Sequence, residues 1–331
     1  MIRKLLLVIA SLGVLASCSD QGDGADSEQK RQKVSMMLDW SPNTNHTGLY
    51  VAKKKGFYKD EGLKVNIKQP GQGSSTDQLV ASGEADFGIG AQEGVTQARA
   101  QDIPLVSIGA VIQHNTSAFA SKKQAGITEV KDFEGQTYGG WGAPSEKATI
   151  KAVMKRHNAD PSKVKFATLG KTNFFKSIGK LADFEWIYYG WDGVQAKLKG
   201  TDLNLIWLKD LHPALDYYTP VITTNEHHVN EQKDLTEKFM AATSKGYQYA
   251  IQHPDEAADI LLEYAPELNK KLVHASQKWL SDHYQADAKK WGLQDEEVWT
   301  RYTDFMKKYN LIKKDVDIDK AFTNEFLPGV D

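Results

Sequence analysis

Cysteine is almost missing from this chain: one residue, Cys18, in 331, which excludes a disulfide framework and a cysteine-built metal site. A surplus of either charge is missing too. Lys and Arg number 41 against 43 Asp and Glu, so there is no electrostatic case for binding nucleic acid. Ten prolines and 26 glycines are ordinary for a globular chain and exclude collagen or a low-complexity tether as the main state. Past the amino-terminal stretch no apolar run reaches membrane-spanning length. No nucleophile elbow, Walker loop or dinucleotide fingerprint is present. What remains is a chain that is 40% hydrophobic and 25% charged, long enough for one large core or two moderate ones.

The position of the one cysteine gives it meaning. Arg3 and Lys4 precede an apolar stretch over residues 5–15, followed by the small residues Ala16 and Ser17. This pattern is an export signal over residues 1–17, too short to span comfortably a hydrocarbon core of about 30 Å. Leu15-Ala16-Ser17-Cys18 resembles the bacterial lipobox, which implies that Cys18 becomes a lipidated amino terminus. An ordinary signal peptide with an incidental cysteine is the alternative. Residues 18–33, almost without apolar side chains, read as a solvated tether. A protein held outside the cell at a bacterial membrane, on the outer face of the cell membrane or in the periplasm, is expected.

From Val34 onward short apolar runs alternate with amphipathic ones. Strands are expected at 34–38, 63–68, 85–89 and 105–112, with helices at 47–55, 75–82 and 92–101. A second series places strands at 137–140, 164–168, 184–188 and 203–208, with helices at 145–157, 174–179 and 193–199. Such alternation specifies β-α-β units on mainly parallel sheets, hence two α/β lobes. Residues 219–223 read as a return strand. Helices at 235–252, 255–263, 269–284 and 295–308 then need a host, and the first lobe is expected to supply it.

Ligands of such sheets collect beyond the carboxyl ends of the strands. There the sequence places Asp39, Trp40, Asn43 and His46, then Gly90, Gln92 and Glu93, then Trp141, and finally Tyr188, Tyr189, Trp191 and Asp192. Aromatic faces suit a flat conjugated ligand, since a stacked pair adds roughly 0.5–1.5 kcal/mol beyond area burial. Carboxylates beside them suit exocyclic amines or a protonatable ring nitrogen. These residues are the expected ligand-binding set. Several of the aromatics serve equally well as packing between elements. Asp192 either reaches the ring or caps a helix, and His46 either lines the rim or caps the helix that follows it. His227 and His228 stand without a supporting carboxylate motif and read as a solvated pair rather than a metal site. Lys53, Lys54 and Lys55 read as a wet helix face.

The block Leu38-Asp39-Trp40-Ser41-Pro42-Asn43-Thr44-Asn45-His46-Thr47-Gly48-Leu49-Tyr50-Val51-Ala52, with Lys55-Gly56-Phe57-Tyr58, Glu61-Gly62-Leu63 and Ser82-Gly83-Glu84-Ala85-Asp86-Phe87-Gly88-Ile89, closely resembles the NMT1/THI5-like family. The resemblance implies a type II periplasmic-binding-protein fold: two α/β lobes with a hinge and an interlobe ligand cleft. The crossings are expected near 119–121 and 218–221, so that lobe 1 comprises 34–119 with 221–331 and lobe 2 comprises 120–220. That family includes binding components of ABC importers for thiamin-pyrimidine precursors and a fungal pyrimidine synthase that consumes its own histidine and pyridoxal phosphate. At the positions of the synthase's lysine and histidine this chain carries Gly90 and Gly94, and the synthase's cysteine-rich iron motif is absent. Residues 141–145 match the synthase's phosphate-cradling loop but lack a Gly-x-Gly and contain Pro144, which implies a ligand without phosphate.

The resemblance therefore implies capture without catalysis or cofactor. The expected ligand is N-formyl-4-amino-5-aminomethyl-2-methylpyrimidine, for thiamin salvage, with another flat heterocycle or a sulfonate as alternative and a single-turnover synthase as a remoter one. The expected partners are an ABC permease with its ATPase subunit and, through Cys18, a membrane; nucleic acid is not among them, and the protein is expected to be a monomer.

Overall fold

Strand burial alternates where one sheet face meets water and is continuous where both are covered. The computed structural model describes residues 31–71, 75–170 and 172–330, so the export signal, Cys18 and most of the tether lie outside the described residues. All elements below belong to one unit, Gln32–Asp331. β1 (Gln32–Met37) and β2 (Leu63–Lys68) alternate, with Val34, Met36, Leu63 and Val65 facing the core, as expected of strands with one covered face. β3 (Phe87–Gly90) and β4 (Leu105–Ala110) are buried almost throughout. β1 begins at Gln32, inside the segment expected to be tether.

β1 to β4 join β10 (Val221–Asn225) in a sheet of order β2-β1-β3-β10-β4, in which β10 runs antiparallel to both neighbours. A second sheet has the order β7-β6-β8-β5-β9, built from β5 (Ser117–Lys122), β6 (Thr137–Gly140), β7 (Lys165–Thr168), β8 (Phe184–Tyr188) and β9 (Leu203–Trp207). The two sheets have the same plan: four mutually parallel strands and one antiparallel strand, β10 in the first and β5 in the second, lying second from one edge. Residues 119–121, expected at a crossing, are instead paired with β8 and β9 inside the second sheet. The first connection between sheets therefore runs through 111–116, and the second enters β10 through 216–220.

Helices cover both sheets: α1 (Thr47–Lys54), α2 (Thr76–Ala81), α3 (Gln92–Arg99), α4 (Pro144–Arg156), α5 (Val194–Leu198), α6 (Lys233–Gln252), α7 (Pro254–Tyr264), α8 (Lys270–Ser281) and α9 (Glu296–Lys308). In α8, Leu272, Val273, Ser276, Gln277 and Leu280 form the buried stripe that helical periodicity requires. Asn269 caps that helix by accepting from the Leu272 N–H at 3.0 Å. The first core is organised around Phe87 stacked on Phe239 at 3.9 Å. The second is organised around Phe133 stacked on Phe184 at 4.1 Å.

The carboxy-terminal helices do not all rest on the first half. Helix α9 sends Trp299 into a cluster with Val95 and Leu105 of the first half, while Tyr302, Phe305 and Met306 pack into the core of the second. It thus straddles the two halves. Among the described residues no helix is long and apolar enough to cross a membrane.

Candidate functional site

Asp39 follows β1, Glu93 sits in the first turn of α3 after β3, Trp141 follows β6 and Tyr188 ends β8. The carboxyl edges of the two sheets meet here. Glu93 is hydrogen-bonded by Ser145 and accepts from the Tyr217 hydroxyl at 3.4 Å. The Tyr188 hydroxyl is hydrogen-bonded with Thr219, and the charges of Glu93 and Asp39 act on it. The two large indoles Trp40 and Trp141 are 44% and 42% exposed.

The loop after β1 is built to fix Asp39. Asn43 caps a 3₁₀ turn, Thr44–His46, accepting from the Asn45 N–H at 2.9 Å. The Asn43 N–H in turn donates to His46 Nδ1 at 3.3 Å. That leaves the His46 proton on Nε2, which donates to Asp39 Oδ1 at 2.7 Å. His46 is fully buried, so it positions Asp39 from behind and does not line the rim. Asn43, expected to contact ligand, is likewise used by its own turn.

Gln92 is also structural. Fully buried, it accepts from the Tyr218 N–H at 2.9 Å and donates to the Val298 carbonyl at 3.2 Å, tying α3 to the second crossing and to α9. Tyr189 is wedged between Trp207 at 5.2 Å and Trp279 at 5.1 Å, and Trp191 packs against the first core. These two aromatics are plugs between halves, the role weighed against ligand contact in the sequence. The turn containing Asp192 is capped at Tyr188 and α5 at Gly193, so Asp192 caps neither. Burial pushes Asp192 up to about 6. Burial also pushes Glu185 up to about 7, with the Asp192 charge adding to the rise.

Two carboxylates that the sequence reading passed over complete the site. Glu146, at the third position of α4, is buried. It accepts from the Trp141 N–H at 3.1 Å, the Gly142 N–H at 2.8 Å, the Ala143 N–H at 2.7 Å and the Tyr138 hydroxyl at 2.6 Å. The loop that resembles a phosphate cradle thus already holds an anion from its own helix. Gly140 makes this possible, because a Cβ there would lie 2.3 Å from Glu146 Oε1.

The second is Asp77 in the first turn of α2. Its Oδ1 is buried without a hydrogen-bond partner. Burial, reinforced by the charges of Asp39 and Glu93, pushes it up to about 7. Its oxygens lie over the bare backbone of Gly90 and Gly94, 2.7 and 2.3 Å from where a Cβ would stand. Helices commonly carry an acid in the first turn for the macrodipole alone, which is why neither residue stood out in the sequence.

His227 and His228 lie at the other end of the first sheet, in a cavity of about 690 Å³ bounded by Asp86, Pro104 and Asn225. His228 is buried and paired with Asp86 at 3.3 Å, not solvated as expected, while His227 is exposed. Among the described residues no group of three or more His, Cys, Asp or Glu side chains is arranged to hold a metal ion.

The pair of sheets, each with one antiparallel strand contributed across the connections, is the fold of periplasmic binding proteins. The alkanesulfonate-binding protein SsuA from Xanthomonas axonopodis pv. citri superposes with a TM-score of 0.67 over 88% of this chain and 98% of its own, at 12% identity. The family profile described as NMT1/THI5 like matches residues 43–257, and the chain belongs to that family. It is 27% identical to the formylaminopyrimidine-binding protein of Halalkalibacterium halodurans over 97% of this chain and 98% of that one. It is 24% identical to a 4-amino-5-hydroxymethyl-2-methylpyrimidine phosphate synthase of Legionella pneumophila over 90% and 93%. The relatives thus support a solute-binding role, and the family also contains named synthases.

Proposed function

We propose that this protein captures a flat, amino-bearing nitrogen heterocycle without phosphate, namely N-formyl-4-amino-5-aminomethyl-2-methylpyrimidine or a close analogue. It does so outside the cytoplasm and delivers the ligand to the permease of an ABC importer for thiamin salvage. The charge of the site carries this reading. The backbone donors a phosphate would need are consumed by Glu146, and the charged groups raising Asp77 and Glu93 are other acids. A carboxylate-lined cleft favours N–H donors over anions. It therefore disfavours both a sulfonate and a phosphate ester.

In this mechanism Trp40, Trp141 and Tyr188 offer ring faces, each stacked contact adding about 0.5–1.5 kcal/mol. Asp39, held in place by His46, accepts the exocyclic amine. A ligand that touches both edges binds the closed arrangement better than the open one and shifts the population toward it. The closed form is then the surface a permease reads. Capture is favoured over catalysis because Gly90 and Gly94 bring no reactive side chain, and the space beside them is taken by the Asp77 carboxyl. Lipidation of Cys18 would hold the monomer at the membrane face; its test is incorporation of labelled fatty acid into the wild type and not into Cys18→Ser.

Titration of the purified protein with the formylaminopyrimidine should quench tryptophan fluorescence and raise the melting temperature through ligand linkage. Mass spectrometry should recover the compound unchanged. No shift in melting, or conversion of the compound, would sink the reading.

A further inference from the structure

We propose that Asp77 is a ligand-contacting specificity residue that pairs with the amidine edge of the captured heterocycle, the ring nitrogen together with its exocyclic amine. This rests on the reading of the site given above and extends it to a residue outside the expected set. The geometry is specific. Asp77 Oδ1 is closed off from solvent and has no hydrogen-bond partner in the protein. A buried polar atom of this kind is costly unless something satisfies it. The charged groups acting on it, Asp39 after β1 and Glu93 at the start of α3, are both acids, so no cation of the fold answers it.

The floor beneath the carboxyl is cleared for it. Gly90 closes β3 opposite Val221, and Gly94 is the third residue of α3. Any side chain at either position would occupy the place of the carboxyl. A carboxyl group and a 4-aminopyrimidine edge share one proton between them and form two parallel hydrogen bonds. The acid and base need not both be charged for this, which suits a poorly solvated site. The analogue without the 4-amino group offers one donor fewer and leaves a carboxyl oxygen unanswered in either protonation state.

Two variants and two probes test the proposal. Wild type should bind the formylaminopyrimidine at least tenfold more tightly than its 4-deamino analogue, and Asp77→Leu, whose side chain neither donates nor accepts, should shrink that ratio to within threefold, chiefly by weakening the amino ligand. Gly94→Ala should have the same sense of effect by displacing the Asp77 side chain, while retaining the wild-type circular dichroism. The ligand-free melting temperature of Asp77→Leu should equal or exceed that of wild type, because an unanswered carboxyl is removed. A structural role for Asp77 would instead lower the melting point and weaken both probes alike, overturning the proposal. Unchanged discrimination in both variants would overturn it too. If wild type binds neither probe, the functional reading itself has failed, which is a separate outcome.

Discussion

Glu146 holds four donors with two oxygens, at a helix start where backbone N–H groups would otherwise attract an outside anion. Glu146→Ala should therefore have two linked effects. Unfolding stability should drop by about 3 kcal/mol, since buried donors lose their acceptor. The variant's melting temperature should then rise with added inorganic phosphate while that of wild type does not, by ligand linkage. Phosphate stabilising both equally would remove Glu146 from the account of ligand choice. Trp40→Ala tests the opposite wall: a loss of at least tenfold in affinity, about 1.4 kcal/mol, is expected from fluorescence titration of the remaining indoles, and an unaltered dissociation constant would take Trp40 out of the site. At this scale the sequence was legible as to position, and Asp39 and Glu93 do stand beyond the carboxyl ends of β1 and β3 as expected. It was opaque where a residue's role depends on what folds over it. Gln92 and His46 read as ligand groups until the partners of their side chains are known, and Asp77 and Glu146 read as ordinary first-turn acids.

Elements show the same division. Helix and strand positions were largely readable because period 3.6 or period 2 is written into each segment, and 63–68, 137–140 and 184–188 have the expected bounds. Strand β5 was not, because Ser117 to Ser121 are all buried between β8 and β9. A strand covered on both faces carries no alternation. Its pairing is also with segments more than sixty residues away in the chain. The host of α9 was illegible for a related reason: its apolar stripe states that it packs, not against what. Since Trp299 is anchored in the first half and Tyr302 in the second, truncating either to alanine should cost about 3–5 kcal/mol. Both should displace one common denaturation transition. A biphasic curve for Tyr302→Ala, with the first half unaffected, would mean that α9 does not couple the halves.

The connections between halves carry their own charge arrangement, and it sets how the whole molecule responds to pH. His114 in the first crossing donates from one ring nitrogen to Asp216 of the second at 2.7 Å and from the other to Asp287 at 2.9 Å. The hydrogen bond to Asp216 leads the effects that push His114 up to about 9. Burial would raise Asp216, but the bonds from His114 and the Asn115 N–H outweigh it and hold it below the usual range. A histidine raised in the folded state contributes stability that is complete below its unfolded value of about 6.5 and is lost as pH climbs through about 9. The acids of the cleft act with the same sign, in a lower pH window. Asp77 and Glu185, raised to about 7, and Asp192, raised to about 6, bind more protons folded than unfolded, so stability falls as pH rises from about 4 through those values. Ligand-free protein should therefore melt highest in mildly acid buffer, about pH 4–6, decline through neutrality and decline again toward pH 9. His114→Gln should remove the alkaline limb alone, and Asp77→Asn should flatten the neutral one. Bound aminopyrimidine should flatten the neutral limb in the same way, since it answers the carboxyls that cause it. Melting curves across pH 4–10, with and without ligand, read both limbs. A ligand-free optimum above pH 8 would show that the carboxyls of the cleft are not held unanswered between the two sheets.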